Sequence, residues 1–344
     1  MNANNNEGFT SLSRSYQLKR LRVAVNEGLA RFNLPSGRLR LVQYELNAIY
    51  RLAFAEGDYF VRLSIRPDRS VEEISSEMAW LESLADQSGV RAPEPVPAAD
   101  GALAVRFTPE GLGFDVVMAV SRWIDGAPVE LDFASPLAGT FGEAMGAMHA
   151  NAEKFQPSSG FTRPSWTFER MLAGLAASTP EVERTLGTYA GAVLTALHDR
   201  LADATPDQGP ASWGLVHADL HRGNALLTDA GEPAFIDFED CGWGYYALDI
   251  ATFLSSVARL DKDDHIGYRD FAARFLDGYA ARRDLPPETA DLNRFLALRD
   301  VFIVNYLAAS TNPTVAEWRT GRLTELVAQL SDFLDTGDYL GSIA

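Results

Sequence analysis

The stretch LVHADLHRGNALL, residues 215–227, carries two of the chain's five histidines, His217 and His221, with Asp219 between them and Asn224 five residues past that aspartate. Asp237 follows thirteen residues after Asn224, at the end of the apolar run PAFI. Phosphoryl transfer uses such a set: one carboxylate to orient or deprotonate the attacking hydroxyl, and an amide oxygen plus a second carboxylate to hold Mg2+ against nucleotide phosphates. Hard oxygen ligands suit Mg2+, which commonly takes only one or two carboxylates from the protein. Two other readings compete. One is an ordinary turn, because Asp and Asn side chains bond their own backbone. The other is a metallohydrolase half-site on His217, Asp219 and His221. Against the latter, His149 and His198 fall in predicted helices and His265 near a helix start, with no second cluster to complete a ligand set.

The elements that must position these residues follow from periodicity. Residues 1–10 are Asn-rich and polar and read as disordered, and LKRLRVAVNEGLARFNL then has helical spacing up to the turn signal PSG. RLRLVQYEL, NAIYRLAFA and YFVRLSI are short, β-branched and aromatic, and predict an antiparallel meander. Ser70-Val-Glu-Glu73 has the form of a capping box, with Ile74, Met78, Leu81 and Leu84 at helical spacing until Gly89. VRAPEPVPAADG is a connector, ALAVRFT and FDVVMAVSRWI are further strands, and DGAPVE marks a boundary near residue 126. Helices are expected over 136–155, 165–178, 180–204 and a series from about 247 to 336, with one β-like interruption at 213–238 that holds the opening stretch. The expected architecture is α+β: an N-terminal tail and helix over 1–37, a small β-rich lobe over 38–125 and a large helical lobe over 126–344.

Composition narrows the partners. At 344 residues the chain has ample apolar content for two lobes. Its single cysteine, Cys241, cannot form an internal disulfide, no secretory leader is evident, and no apolar run approaches the roughly 18 residues of a membrane helix, so a cytoplasmic protein with no membrane partner is expected. A net charge of −17 argues against nucleic acid and permits a cationic substrate. The exception is residues 14–40, where Arg14, Lys19, Arg20, Arg22, Arg31, Arg38 and Arg40 face one acid, Glu27, and read as a basic face on the first helix.

At HADLHRGN followed by IDFEDCGWGYYALDIA the chain resembles the aminoglycoside phosphotransferase and choline kinase family, the small-molecule branch of the protein-kinase-like fold. The shared pattern is a His-x-Asp loop with Asn five residues past the Asp, an Ile-Asp-Phe strand end and a later Asp. The three-strand-plus-helix start looks like the family's small lobe, VSRWIDG resembles its hinge strand, and FGEAMGAMHA resembles the first helix of its large lobe, so the resemblance covers roughly residues 38–335. It implies ATP and Mg2+ as cofactors. It makes Asp219 the catalytic base or hydroxyl-orienting carboxylate, Asn224 and Asp237 the Mg2+ ligands, His217 the loop's structural anchor and Asp249 a carboxylate behind it. Adenine is expected against the backbone of Arg122, Trp123 and Ile124, where a strand edge offers unpaired N–H and C=O groups.

The chain departs from the pattern at the nucleotide lysine, which in kinases pairs the α/β-phosphates with a helix glutamate. Its three lysines, Lys19, Lys154 and Lys262, lie outside the strands. Arg62 in YFVRLSI and Glu77 on the next helix are the candidates by position, with a guanidinium fork changing the phosphate geometry; the bland alternative leaves both in solvent. QYELNAIY has no glycine to cradle phosphates. Trp243, Tyr245 and Tyr246 either fill core or cover substrate, and Glu239 and Asp240 either face a cationic acceptor or sit in a solvated loop. The acceptor expected is a small-molecule hydroxyl, on an aminoglycoside, an amino alcohol, homoserine or a sugar. Competing functions are a protein Ser/Thr kinase of the same fold, disfavoured because only eleven residues separate Asp237 from Asp249, and a nucleotide-binding pseudokinase, motivated by the missing lysine.

Overall fold

The structure is a computed structural model that describes residues 7–34, 37–45, 47–87, 90–203, 206–261, 264–310 and 313–339. The chain divides into two compact units: Met1–Ala127 with Phe155–Arg163 and Thr228–Glu239, and Pro128–Lys154 with Pro164–Leu227 and Asp240–Ala344.

In the first unit a helical turn, α1 (Glu7–Thr10), and helix α2 (Arg14–Leu29) precede β1 (Arg38–Tyr44), β2 (Asn47–Ala53) and β3 (Tyr59–Ser64); α3 (Val71–Gln87), β4 (Ala104–Phe107) and β5 (Val116–Arg122) follow. Of the segment expected to be disordered, residues 1–6 lie outside the described residues. Residues 7–10 are helical because Phe9 is buried in the unit's core, edge-on to Phe114 at 5.5 Å. The strands form one antiparallel sheet in the order β1-β2-β3-β5-β4. Leu21, Ala24, Val25 and Leu29 of α2 join its core, and a methyl group on Gly28 would overlap Met118 of β5, so glycine sets how closely helix and sheet approach. The basic face of α2 is partly spent on that sheet: Arg14 Nη2 donates to the Tyr44 carbonyl at 2.6 Å and Arg22 Nη1 to that of Leu39 at 3.1 Å. The capping box forms as the sequence predicts, with Ser70 N–H donating to Glu73 Oε2 (2.9 Å) and Glu73 N–H to Ser70 Oγ (3.1 Å). Gly89, the expected stop, lies outside the described residues.

The two-residue β6 (Ala127–Pro128) stands at the unit boundary. The second unit then runs through α4 (Leu137–Lys154), β7 (Ser165–Trp166), α5 (Phe168–Leu186), α6 (Thr188–Ala202), β8 (Trp213–Val216) and β9 (Ala225–Leu227). After β10 (Pro233–Phe235), which belongs to the first unit, come β11 (Gly242–Tyr245), α7 (Tyr246–Ala258), α8 (His265–Ala280), α9 (Leu292–Ala309) and α10 (Pro313–Thr336). The expected helix break at residue 179 is wrong: α5 contains Pro180 and ends at Gly187, whose φ of 95° no other residue adopts cheaply. Pro180 deprives an upstream carbonyl of its partner, while the neighbouring Thr179 hydroxyl donates to the Leu175 carbonyl at 2.9 Å. The helix expected from residue 165 starts at Phe168, because Thr167 caps it and Ser165–Trp166 pair in parallel with β11.

Helices α4 and α8 sit unusually close. A methyl on Gly142 would overlap the Phe275 carbonyl oxygen, and this approach lets Tyr279 reach His149. Helix α7 is buried along almost its whole length, and Asp249 is its one charged side chain.

Candidate active site

In the second unit, β11 pairs antiparallel with β8, Gly242 opposite Val216, which holds the end of β8 where the His217–Asn224 loop begins. A buried carboxylate must be fully hydrogen-bonded to be tolerated, and Asp249 meets that demand by gripping this loop. Its Oδ2 accepts the His217 N–H at 2.7 Å and its Oδ1 the Ala218 N–H at 2.8 Å. Two consecutive amides on one carboxylate hold Ala218 in the left-handed region, at φ 67°, a conformation that costs a non-glycine residue roughly 1–2 kcal/mol.

Asp249 is in turn oriented by His149, whose Nε2 lies 3.1 Å from Oδ2. A carboxylate only accepts, so Nε2 carries the proton and Nδ1 accepts from the Tyr279 hydroxyl at 2.9 Å. Arg283 Nη1 donates to that hydroxyl oxygen at 3.3 Å, completing a buried chain from a cation to an anion. Burial pushes the His149 imidazole below its ordinary value despite the pull of Asp249. His217 is fully buried, and its Nδ1 accepts the Asp219 N–H at 3.3 Å.

Asp219 itself keeps its side chain 28 % exposed. Its Oδ1 accepts Arg299 Nη2 of α9 at 2.6 Å, and its Oδ2 lies 3.8 Å from His221 Nε2. Asn224 is buried, and its Nδ2 donates to the Asp219 carbonyl at 3.0 Å; this fixes the amide's direction and leaves Oδ1 with no hydrogen-bond donor among the described residues. His221 Nδ1 accepts the Gly223 N–H at 2.9 Å and so caps the turn that carries Asn224. Burial pushes the His221 imidazole down, against the pull of Asp219, in keeping with this acceptor role. Among the described residues no three His, Cys, Asp or Glu side chains gather as a metal site, so the metallohydrolase reading has no ligand set.

In the first unit, Asp237 follows β10 with an exposed side chain and a left-handed φ of 66°. Its carboxylate, like the Asn224 amide oxygen of the second unit, is a hard oxygen donor of the kind that divalent cations take. Arg62 of β3 and Glu77 of α3 form an ion pair, Nη2 to Oε2 2.8 Å, with both side chains buried, so neither is the solvent-facing residue of the bland alternative. Burial works against the Arg62 charge, but Glu77, Glu239 and Asp237 outweigh it and strengthen its hold on the proton. Glu239 is neither in a solvated loop nor free for an acceptor. Its carboxylate accepts Asn47 Nδ2 at 2.7 Å and Arg66 Nη1 at 2.8 Å, and Arg163 donates to its backbone carbonyl at 2.5 Å. Burial would raise its carboxyl pKa, yet Arg62 and Arg66 together hold it low.

The premise for adenine at Arg122, Trp123 and Ile124 needs correction. β5 is an interior strand, flanked by β3 and β4, and residues 94–96 extend its coverage past the end of β4. The Arg122 N–H donates to the Glu94 carbonyl at 2.7 Å and the Trp123 N–H to that of Asp58 at 2.9 Å, so these two donors are engaged. The Trp123 ring lies under the Arg51 guanidinium at 4.5 Å.

Tyr245, Tyr246 and Cys241 are buried core, while Trp243 is half-buried in β11. The residues that sequence reasoning missed are Arg299, Asn47, Arg66 and Arg163. For Arg299 a signal existed: Arg299-Asp300 is a charged pair inside the otherwise apolar LALRDVFIV of α9.

A family model described as "Phosphotransferase enzyme family" matches residues 43–292. The amicoumacin kinase of Bacillus subtilis (strain 168) is 28% identical over 288 residues, covering 82% of this chain and 83% of that protein. Among solved structures, the amicoumacin kinase hAmiN in complex with AMP-PNP, Ca2+ and Ami superposes with a TM-score of 0.75 at 22% identity, covering 95% of this chain and 96% of the other. A microcompartment-associated aminopropanol kinase superposes at 0.68 with 23% identity, covering 94% and 100%. At such identities these two likenesses speak for the fold, a protein-kinase-like β lobe and helical lobe. Among the described residues no helix is long and apolar enough to cross a membrane.

Proposed function

Since the chain belongs to the phosphotransferase enzyme family, we propose that it moves the γ-phosphoryl group of ATP to a hydroxyl of a small molecule. The observation that carries this reading is the Asp219 loop. One oxygen of the carboxylate is committed to Arg299, the other is available to an acceptor hydroxyl, and the backbone beneath is fixed by Asp249. Asp219 orients the hydroxyl and accepts its hydrogen bond, while Arg299 balances the carboxylate's charge. Asn224 and Asp237 would hold Mg2+, which when bound offsets charge on the phosphates and brings them into line. Arg62, kept straight by Glu77, presents its cation to the α/β-phosphates. ATP as donor suits a cytoplasmic enzyme.

Small-molecule kinases among the relatives support a small acceptor. The protein-kinase alternative is weakened by the segment from Asp237 to Asp249, which is taken up by a short turn at Phe238–Asp240 and by β11. The pseudokinase alternative rested on the missing lysine, and the buried Arg62–Glu77 pair supplies a cation in its stead.

The test is 31P NMR of purified chain with ATP, Mg2+ and a panel of aminoglycosides, amino alcohols, homoserine and pentoses. A new phosphomonoester resonance that grows with ADP establishes transfer and names the acceptor class. Production of inorganic phosphate alone, whatever the acceptor, would reject transfer.

A further inference from the structure

Arg299 is placed unlike Arg283, the other buried arginine among the described residues of its unit. Arg283 is spent on the carbonyls of Ala211 at 2.7 Å and Asp284 at 2.8 Å, on the Tyr279 hydroxyl and on the Glu153 carboxylate at 2.8 Å, and the half-buried Arg274 puts Nη1 on the Ser135 carbonyl at 2.6 Å. Such arginines stitch loops to helices. Arg299, whose side chain is only 9% exposed, donates to Asp219 Oδ1 and to nothing else among the described residues. A guanidinium has five N–H donors in a planar fork, so most of its hydrogen-bonding capacity is unspent at a place nearly closed to water. A cation held that dry and that lightly bonded favours a ligand that completes the fork, and a carboxylate matches its geometry.

The surroundings select further. The Arg299 guanidinium lies 5.4 Å from the centre of the Phe302 ring, which meets the Trp166 ring edge-on at 5.1 Å. Arg170 stacks on Trp166 at 4.7 Å. Arg299 is therefore backed by half-buried Phe302, beyond which lie Trp166 and the exposed Arg170. A cationic acceptor, which the net charge of −17 permits, would meet like charge at Arg299.

We propose that Arg299 is the residue through which this chain selects its acceptor, and that the acceptor is a hydroxy acid, with a carboxylate on Arg299 and its hydroxyl on Asp219 Oδ2. Because Arg299 and Asp219 are themselves hydrogen-bonded, the carboxylate and hydroxyl of the acceptor are joined by a short carbon spacer. The inference rests on the phosphotransfer reading for the hydroxyl's fate, while the carboxylate's binding to Arg299 stands apart from it.

The experiment uses the full chain with Mg2+ and two readouts. The first is saturation binding of homoserine and 4-hydroxybutyrate, followed by ligand-observed NMR in the presence of a non-hydrolysable ATP analogue. The second is ADP release, with each hydroxy acid run beside its carboxylate-free counterpart, 3-amino-1-propanol or 1-propanol. The expected result is that the hydroxy acids bind wild type and that Arg299→Gln weakens them by about 10- to 100-fold, the range for a lost hydrogen bond to a charged group. Arg299→Lys should recover part of the loss. In turnover both members of each pair should slow, because Asp219 loses its charge partner, and the hydroxy acids should lose a further roughly 10-fold or more, carried by KM. Hydroxy-acid binding that Arg299→Gln abolishes, without turnover, would uphold Arg299 and defeat the transfer reading. Turnover of carboxylate-free acceptors in preference, equal losses for both members of each pair, or no hydroxy-acid binding to wild type would overturn the inference.

Discussion

Glu77 of α3 holds Arg62 of β3 at 2.8 Å, with both side chains nearly lost to solvent. On the proposed reading Arg62 stands in for the family's nucleotide lysine, so that one residue would answer two demands, stability and phosphate binding. Removing one partner of a buried pair leaves an uncompensated charge and costs about 3–5 kcal/mol, whereas replacing both by apolar residues of similar volume is often neutral. Glu77→Leu alone should therefore lower the unfolding free energy by that amount, measured by urea denaturation. Arg62→Met with Glu77→Leu should regain most of it yet lose affinity for ATP by roughly 10-fold or more, in line with a lost charged contact. ATP binding unchanged in the stable double variant would detach Arg62 from the nucleotide.

The Asp249 carboxylate predicts a second result. Asparagine has one acceptor oxygen and turns an NH2 group toward one of the two backbone amides that Asp249 serves. Asp249→Asn should reduce turnover by at least roughly 10²-fold through a misplaced Asp219, with ATP affinity held within about threefold. Steady-state kinetics beside equilibrium nucleotide binding separates the two. Unaltered kcat would mean that the loop does not need this clamp.

His149 gives the protein a pH-dependent stability term. Burial lowers its pKa below the unfolded value, so the unfolded chain binds the proton more readily than the folded one. The contribution is fully present above about pH 6.5 and is lost as pH falls below it, at no more than about 1.4 kcal/mol per pH unit. Denaturant midpoints of wild type should fall from pH 7.5 to 5.5 more steeply than those of His149→Asn. Parallel slopes would show that His149 does not carry the term.

Packing between α4 and α8 sets the reach of Tyr279 to His149. Gly142→Ala would push a methyl into the Phe275 carbonyl and should destabilise the protein by about 1–3 kcal/mol, the range for overpacking. Thermal unfolding would register it, and a neutral outcome would imply that the two helices part without consequence.

The sequence carried the parts of this site better than their connections. The loop residues Asp219 and Asn224 and the strand-end Asp237 are visible as local spacing, because period and turn chemistry act over short stretches, whereas Arg62 and Glu77 are candidates only through the resemblance to kinases. What spacing cannot carry is contact over long range. Arg299 lies 80 residues from Asp219, and Glu239 reaches Asn47 over 192. His149 was readable as a helical residue, yet its bond to Asp249 depends on how α4 packs in the unit. The engaged N–H groups of Arg122 and Trp123 escaped because strand order is a tertiary property: nothing in VSRWIDG states that residues 94–96 lie beside it. Pro180 misled for the opposite reason, since a strong local breaker was overridden by the helix around it.

Acceptor-stimulated ADP release from ATP with Mg2+, measured for wild type and Asp219→Asn under nucleotide saturation, tests the central claim most directly. The account predicts that the variant binds ATP as wild type does and loses roughly 10²-fold or more of the stimulated rate. A variant that turns over as fast as wild type would contradict the assignment of Asp219, and with it the mechanism built on that loop.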